Sequence, residues 1–232
     1  MGCVRGSDDM IPVMMRFWMP HGSGGVVIPP GDNYTCVTPA LLANFDTDGP
    51  IDGDAPETAP ANTYYASASA TATSGWVSPA NFDIIMDGGA VRNYQTVLQT
   101  YVHTGETVKF AFKTTSVTDD SGTIISVEFA TGAGAACTFA YQVYASGSLV
   151  DEVTDTFSIG ASSATVLVHI EIVEADAINL YLSPDFVTPI ATLAPADVAA
   201  YFDWYSVRVT STGNNSAVDY IRCCGSDGIE EG

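Results

Sequence analysis

The sequence predicts an all-β fold: an antiparallel two-sheet jelly-roll sandwich preceded by an extended, irregular N-terminal arm. Three observations predict it. From Tyr64 onward apolar and polar residues alternate with period two, as they do on strands with one buried face. Turn residues separate the alternating runs at Thr104 and Gly105, Asp120 to Gly122, Ser146 and Gly147, Gly160, Ser183 to Asp185, and Gly213 to Asn215. Links that short join antiparallel neighbours, and about ten such strands need two stacked sheets or a closed barrel. No repeat of 20–50 residues runs through the chain, which disfavours propellers and solenoids.

Residues 1–62 form the expected arm, with Pro12, Pro20, Pro29, Pro30, Pro39, Pro50, Pro56 and Pro60 keeping regular structure brief. One helical turn is expected at 39–44, where Pro39 suits a helix start. Ile11, Val13, Met14, Met15, Phe17, Trp18 and Met19 are too apolar for a free tail. Ile11, Val13, Met15, Phe17 and Trp18 are therefore the candidate assembly contacts, with coverage of the chain's own domain as the alternative. The sandwich is expected over 63–225, and an acidic tail over 226–232.

Within the sandwich the first run is YYASASATAT, which puts Ala66, Ala68, Ala70 and Ala72 on one face. Val108, Phe110 and Phe112 alternate with Lys109 and Lys113. Cys137, Phe139, Tyr141 and Val143 oppose Thr138, Gln142 and Tyr144. Val166, Val168, Ile170 and Ile172 oppose His169 and Glu171. Further strands are expected at 91–102, 123–130, 149–158, 177–182, 204–210 and 217–223. Only 193–202, with Pro195 near its start, reads as a helix.

Length and charge narrow the function. The chain has 232 residues, 47% of them apolar, enough for a sizeable core. Asp and Glu number 27 against 7 Lys and Arg, a net charge of −20. That balance argues against a nucleic-acid partner, which needs clustered Lys and Arg, and against an anionic membrane surface. No run of about 18 apolar residues is present to span a membrane. The start does not read as a signal peptide, because Pro12, Arg16 and Pro20 break its apolar run. Cys3, Cys36, Cys137, Cys223 and Cys224 form neither a disulfide framework nor a zinc set, and the thiols are expected to be reduced.

Three segments carry a resemblance: AINLYLSP, a strand running into a turn; YFDWYSVRVT, an aromatic-rich strand; and AVDYIRC, a closing strand. Together they resemble the concanavalin A-like lectin/glucanase (laminin G-like) jelly roll, whose last strand often reads xIDxIRxx. The resemblance implies glycan-binding modules, glycosidases, or domains on phage and other virion surfaces. A retaining glucanase of this family would carry an E-x-D-x-x-E-like pattern on one strand. The nearest match is Glu171, Glu174 and Asp176, but Glu171 and Glu174 fall on opposite faces of a regular strand and position 173 is Val. No Ser/His/Asp signature or phosphate loop is present, so no catalytic residue is assigned and an enzyme is not expected.

Trp76, Tyr144 and Trp204 are the candidate glycan-stacking rings, with core filling as the alternative. Asn44, Asp46, Asp48 and Asp52 resemble the oxygen-rich loops of EF-hand-like and dockerin-like segments, with Gly49 after the third ligand; the acid at position 12 is replaced by Ala55. Two readings follow, a calcium loop or an ordinary acidic turn. No other cofactor is implied. The function expected from the whole is a non-enzymatic virion protein made in a host cytoplasm: a capsid decoration, cement or fibre-base protein of a tailed phage. It would be homo-oligomeric, assembling through its arm with capsid or other virion proteins. A lectin-like surface module binding host glycan is the alternative, and a single-jelly-roll major capsid protein the second.

Overall fold

The computed structural model describes residues 39–173, 177–196 and 198–225. Eighteen strands run through them: β1 (Pro39–Ala43), β2 (Gly49–Pro50), β3 (Thr63–Ala66), β4 (Thr71–Thr73), β5 (Trp76–Ser78), β6 (Phe82–Met86), β7 (Val91–Asn93), β8 (Gln95–Val102), β9 (Thr107–Lys113), β10 (Gly122–Ala130), β11 (Cys137–Ala145), β12 (Ser148–Phe157), β13 (Ala164–Val173), β14 (Ala177–Leu182), β15 (Ala191–Leu193), β16 (Phe202–Trp204), β17 (Ser206–Ser211) and β18 (Ala217–Cys224). The expected antiparallel sandwich is what forms. One sheet has the order β15-β14-β13-β8-β18-β5-β4-β2, with β1 also on β18; the other has the order β12-β11-β10-β9-β17-β6-β3; β7 and β16 pair separately.

Alternation decides which residues lie between the sheets. Val108, Phe110 and Phe112 of β9, with Ile125, Val127 and Phe129 of β10, face Val166, Val168 and Ile170 of β13 across one core, all at most 3% exposed. The rings of Phe110 and Phe129 meet edge to face at 6.2 Å, the geometry that aromatic quadrupoles prefer. Each buried aromatic of this kind contributes about 3–5 kcal/mol relative to Ala.

Several expectations change. Residues 39–44 are the strand β1, not a helical turn. Leu41 and Ala43 alternate into the core while the backbone pairs with β18, and Pro39 tolerates a first-in-strand place. Residues 39–62 are therefore part of the sandwich, with Phe45 and Ile51 in its core, so the boundary expected at 62 does not hold. The alternating run 64–73 splits into β3 and β4, which lie in different sheets. The Ser67 hydroxyl makes the break by accepting from the amides of Ser69 (3.2 Å) and Ala70 (2.8 Å), a turn that competes with the ladder. Among the described residues of 193–202 no helix forms. Leu193 pairs with Ile178, and the few residues left before β16 are too short a run to sustain a helix.

The expected assembly residues Ile11, Val13, Met15, Phe17 and Trp18 lie outside the described residues, as do Glu174, Asp176 and the tail. Cys137 and Cys223 are free and buried, whereas Cys224 is disulfide-bonded, which corrects the expectation of five reduced thiols.

Candidate saccharide-binding face

The outward face of the seven-stranded sheet is built from the residues of β9, β10, β11 and β17 that alternate away from the core. Its registers place Arg208, Ala111, Ser126 and Ala140 in one row across four strands. One row to either side stand Lys109, Glu128 and Thr138, and Lys113, Ile124 and Gln142. The middle row carries side chains no longer than a hydroxymethyl at Ala111, Ser126 and Ala140, while both flanking rows carry longer ones. The result is a trough across the strands. Ser126 is 3% and Ala140 5% exposed although both point away from the core. Continued to Thr154 of β12, which pairs with Ala140, the floor spans four strands, about 14 Å at the usual interstrand spacing.

Arg208 closes one end of the trough, held by Asp83 through two bonds of 2.8 and 3.0 Å. This bidentate pairing raises the guanidinium's pKa. Beyond Ile124 the face dips into a pocket of about 270 Å³ lined by Lys113, Asp119, Asp120, Ser121, Ile124, Tyr144 and Gly147. Its walls are the loop 114–121 and the turn between β11 and β12, tied together where the Gly147 amide donates to the Asp120 carbonyl at 2.9 Å. Asp119 accepts from the amide (2.9 Å) and hydroxyl (2.6 Å) of Ser121, and these bonds lower its pKa. Three of the seven Lys and Arg side chains, Lys109, Lys113 and Arg208, stand on this one face of a chain at −20.

Of the expected stacking rings, Tyr144 is half-buried in the pocket wall. Trp76 is half-buried on β5, in the other sheet. Trp204 is corrected to a core residue: it is 1% exposed and stacks on Phe202 at 5.2 Å and 7°. Glu171 faces outward from the nine-stranded sheet, and its carboxylate accepts from the Tyr181 hydroxyl at 2.8 Å.

Asn44, Asp46, Asp48 and Asp52 do not converge. Asp48 accepts from the Ser74 amide at 2.6 Å and Asp52 from the Ser67 amide at 2.9 Å, so each carboxylate holds a different turn. The Asn44 amide donates to Glu57 at 2.9 Å. Among the described residues no three His, Cys, Asp or Glu side chains group so as to hold a metal ion.

Sequence reasoning placed Lys109 and Lys113 outward but missed Ala111, Ser126, Ala140 and Glu128 as a set. The available signal was the phase: small residues stand at outward positions of three expected strands. Only the register shows that they fall in one row.

No family model and no curated protein matches this sequence. Solved structures share the fold: a glycosidic hydrolase (12% identity, TM-score 0.50, 82% of this chain and 96% of that one) and the Bacillus licheniformis β-glucanase (12%, 0.51, 82% and 99%). The Crh5 transglycosylase in complex with NAG is similar to the same degree (12%, 0.50, 83% and 88%). The chain thus shares the jelly-roll sandwich fold of these structures. The expectation that the chain is not an enzyme is corrected by this comparison, because the structures that share its fold include glycoside hydrolases and a transglycosylase. The sequence reading sought a carboxylate pattern on β13, whereas the trough lies on the other sheet, where Glu128 stands centrally between Lys109 and Thr138.

Proposed function

We propose that the protein binds a saccharide chain across the outward face of the seven-stranded sheet, with one ring seated in the pocket beside Tyr144. The carrying observation is the floor of Ala111, Ser126 and Ala140 between two rows of longer, mostly polar side chains, opening onto an aromatic wall. Flat sugar rings fit a floor without projecting side chains. The Tyr144 ring would cover a sugar face at little entropy cost, and Asp119, Asp120 and Ser121 supply acceptors for hydroxyls.

A second reading, cleavage of the bound chain, is favoured by the placement of Glu128, the trough carboxylate. Of the alternate outward positions on β10, 122, 124, 126, 128 and 130, only 128 is acidic. A second carboxylate would have to come from another element. The virion setting is supported by composition and by the apolar N-terminal segment.

Titration of the native chain with laminari-, cello- and chito-oligosaccharides tests both readings, followed by product analysis. Tyr144→Ala and Ala140→Trp should each weaken binding about tenfold or more, some 1.4 kcal/mol, and Tyr144→Ala should leave melting unchanged. Glu128→Gln should leave binding intact and abolish any cleavage. Unaltered affinity in the first two variants would refute the face as the binding site.

A further inference from the structure

Lys113 ends β9 on the outward face, yet it is 9% exposed, because its stem folds back under the loop 114–121. Its ammonium donates to the carbonyls of Ser116 (3.1 Å), Val117 (3.3 Å) and Asp119 (2.8 Å). An ammonium has three donors, and all three are engaged. We infer that Lys113 is the positioning residue of the saccharide pocket, its ammonium serving as the internal cation around which the 114–121 wall is built. The ligand part of this inference rests on the saccharide reading above; the loop part rests on geometry alone.

Three carbonyl dipoles aimed at one point repel one another unless a positive charge sits among them. The loop's other ties run along its margins, and none reaches the point where the three carbonyls converge. The Thr115 hydroxyl donates to the Ser121 carbonyl at 2.7 Å, the Asp119 amide to the Ser116 carbonyl at 3.1 Å, and the Ser206 hydroxyl to the Thr115 carbonyl at 2.9 Å. The loop closes at Gly122, with φ +101°, where a Cβ would press into Thr114 and Thr115. Burial pulls the ammonium's pKa down and Arg208 adds to that, while Asp119, Asp120 and Asp83 oppose it. The carbonyls converge on a point charge. An arginine offers its donors in a planar fork and cannot place three of them there.

The wall carries Asp119, Asp120 and Ser121, so losing the cation displaces half the pocket while leaving the sheet beneath it. The test compares native protein with Lys113→Met and Lys113→Arg by amide exchange over 114–121, thermal melting and titration with chitotetraose and laminaritetraose. Both variants should melt close to the native temperature. Both should exchange the Thr114, Asp119 and Ser121 amides at least tenfold faster, and lose tenfold or more in oligosaccharide affinity. Native exchange rates over this loop in Lys113→Met, or native affinity in both variants, would overturn the inference. If the native protein binds neither sugar, the saccharide reading falls, and accelerated exchange in the variants would still establish Lys113 as the loop's internal cation.

Discussion

Glu106 shows how one buried carboxylate joins distant parts of the chain. Its side chain is 11% exposed and accepts from the Ser216 amide (2.9 Å) and hydroxyl (2.6 Å), and from the Asn215 amide (3.3 Å) and side chain (2.8 Å). Burial alone would raise its pKa, but the four bonds prevail and lower it. The native state therefore favours the ionised form. This stabilisation is present above the ordinary carboxylate range and is lost as pH falls through the lowered value. Glu106→Gln should cost about 2 kcal/mol at neutral pH, read by urea denaturation, and progressively less as the pH falls below the ordinary carboxylate range. Asp219 behaves oppositely. Burial, then the charge of Asp46, push its carboxyl up to about 6. Its contribution to stability is present below the unfolded value and lost as pH rises through about 6. Asp219→Asn should raise stability at pH 8 by on the order of 1 kcal/mol, after discounting for solvent screening, and change little at pH 4. A variant less stable at pH 8 would show that the carboxylate has a partner that offsets its burial.

At the scale of elements, β9 and β10 serve two faces at once. Their inward rings fill the core and their outward residues make the trough and its polar rows, so changes on the two faces should separate. Phe129→Ala should lose about 3–5 kcal/mol of stability. Tyr144→Ala on the adjacent strand should keep stability and lose binding. A tight approach makes a similar demand beside β6. A Cβ on Gly88 would overlap the Ala61 carbonyl, which is backbone and cannot swing aside. Gly88→Ala should therefore force the 60–62 turn off the sheet. Chemical denaturation should show a loss of more than 1 kcal/mol, beyond the gain normally expected from replacing a glycine. A neutral effect would mean that the turn yields without cost.

At the scale of the whole molecule, −20 charges on 24.3 kDa mean self-repulsion in the compact state. Raising sodium chloride from low ionic strength to about 0.5 M shortens the screening length to a few ångströms, so melting should shift upward by several degrees. Flat melting across that range would place the charges too far apart to matter.

Period-two alternation was enough to predict the sandwich, because alternation reports directly which side chains leave water. The placement of Phe110, Phe129 and Val168 in the core was legible for that reason. Segments whose state depends on a partner strand were not. Pro39–Ala43 reads locally as a helix start and becomes a strand only because β18, more than 170 residues away, offers an open edge. Trp204 could have been a stacking ring or core, and only packing against Phe202 and Phe112 decides it. The trough belongs to the same class. Each small outward residue is unremarkable in its own strand, and they form a floor because the ladder registers align them. Sequence by itself determined the class of fold and the two faces of each strand, which are local properties. Tertiary structure decided which strands are neighbours, in what register, and so which outward residues share a site, because hydrogen-bonded pairing between distant segments leaves no mark within either one.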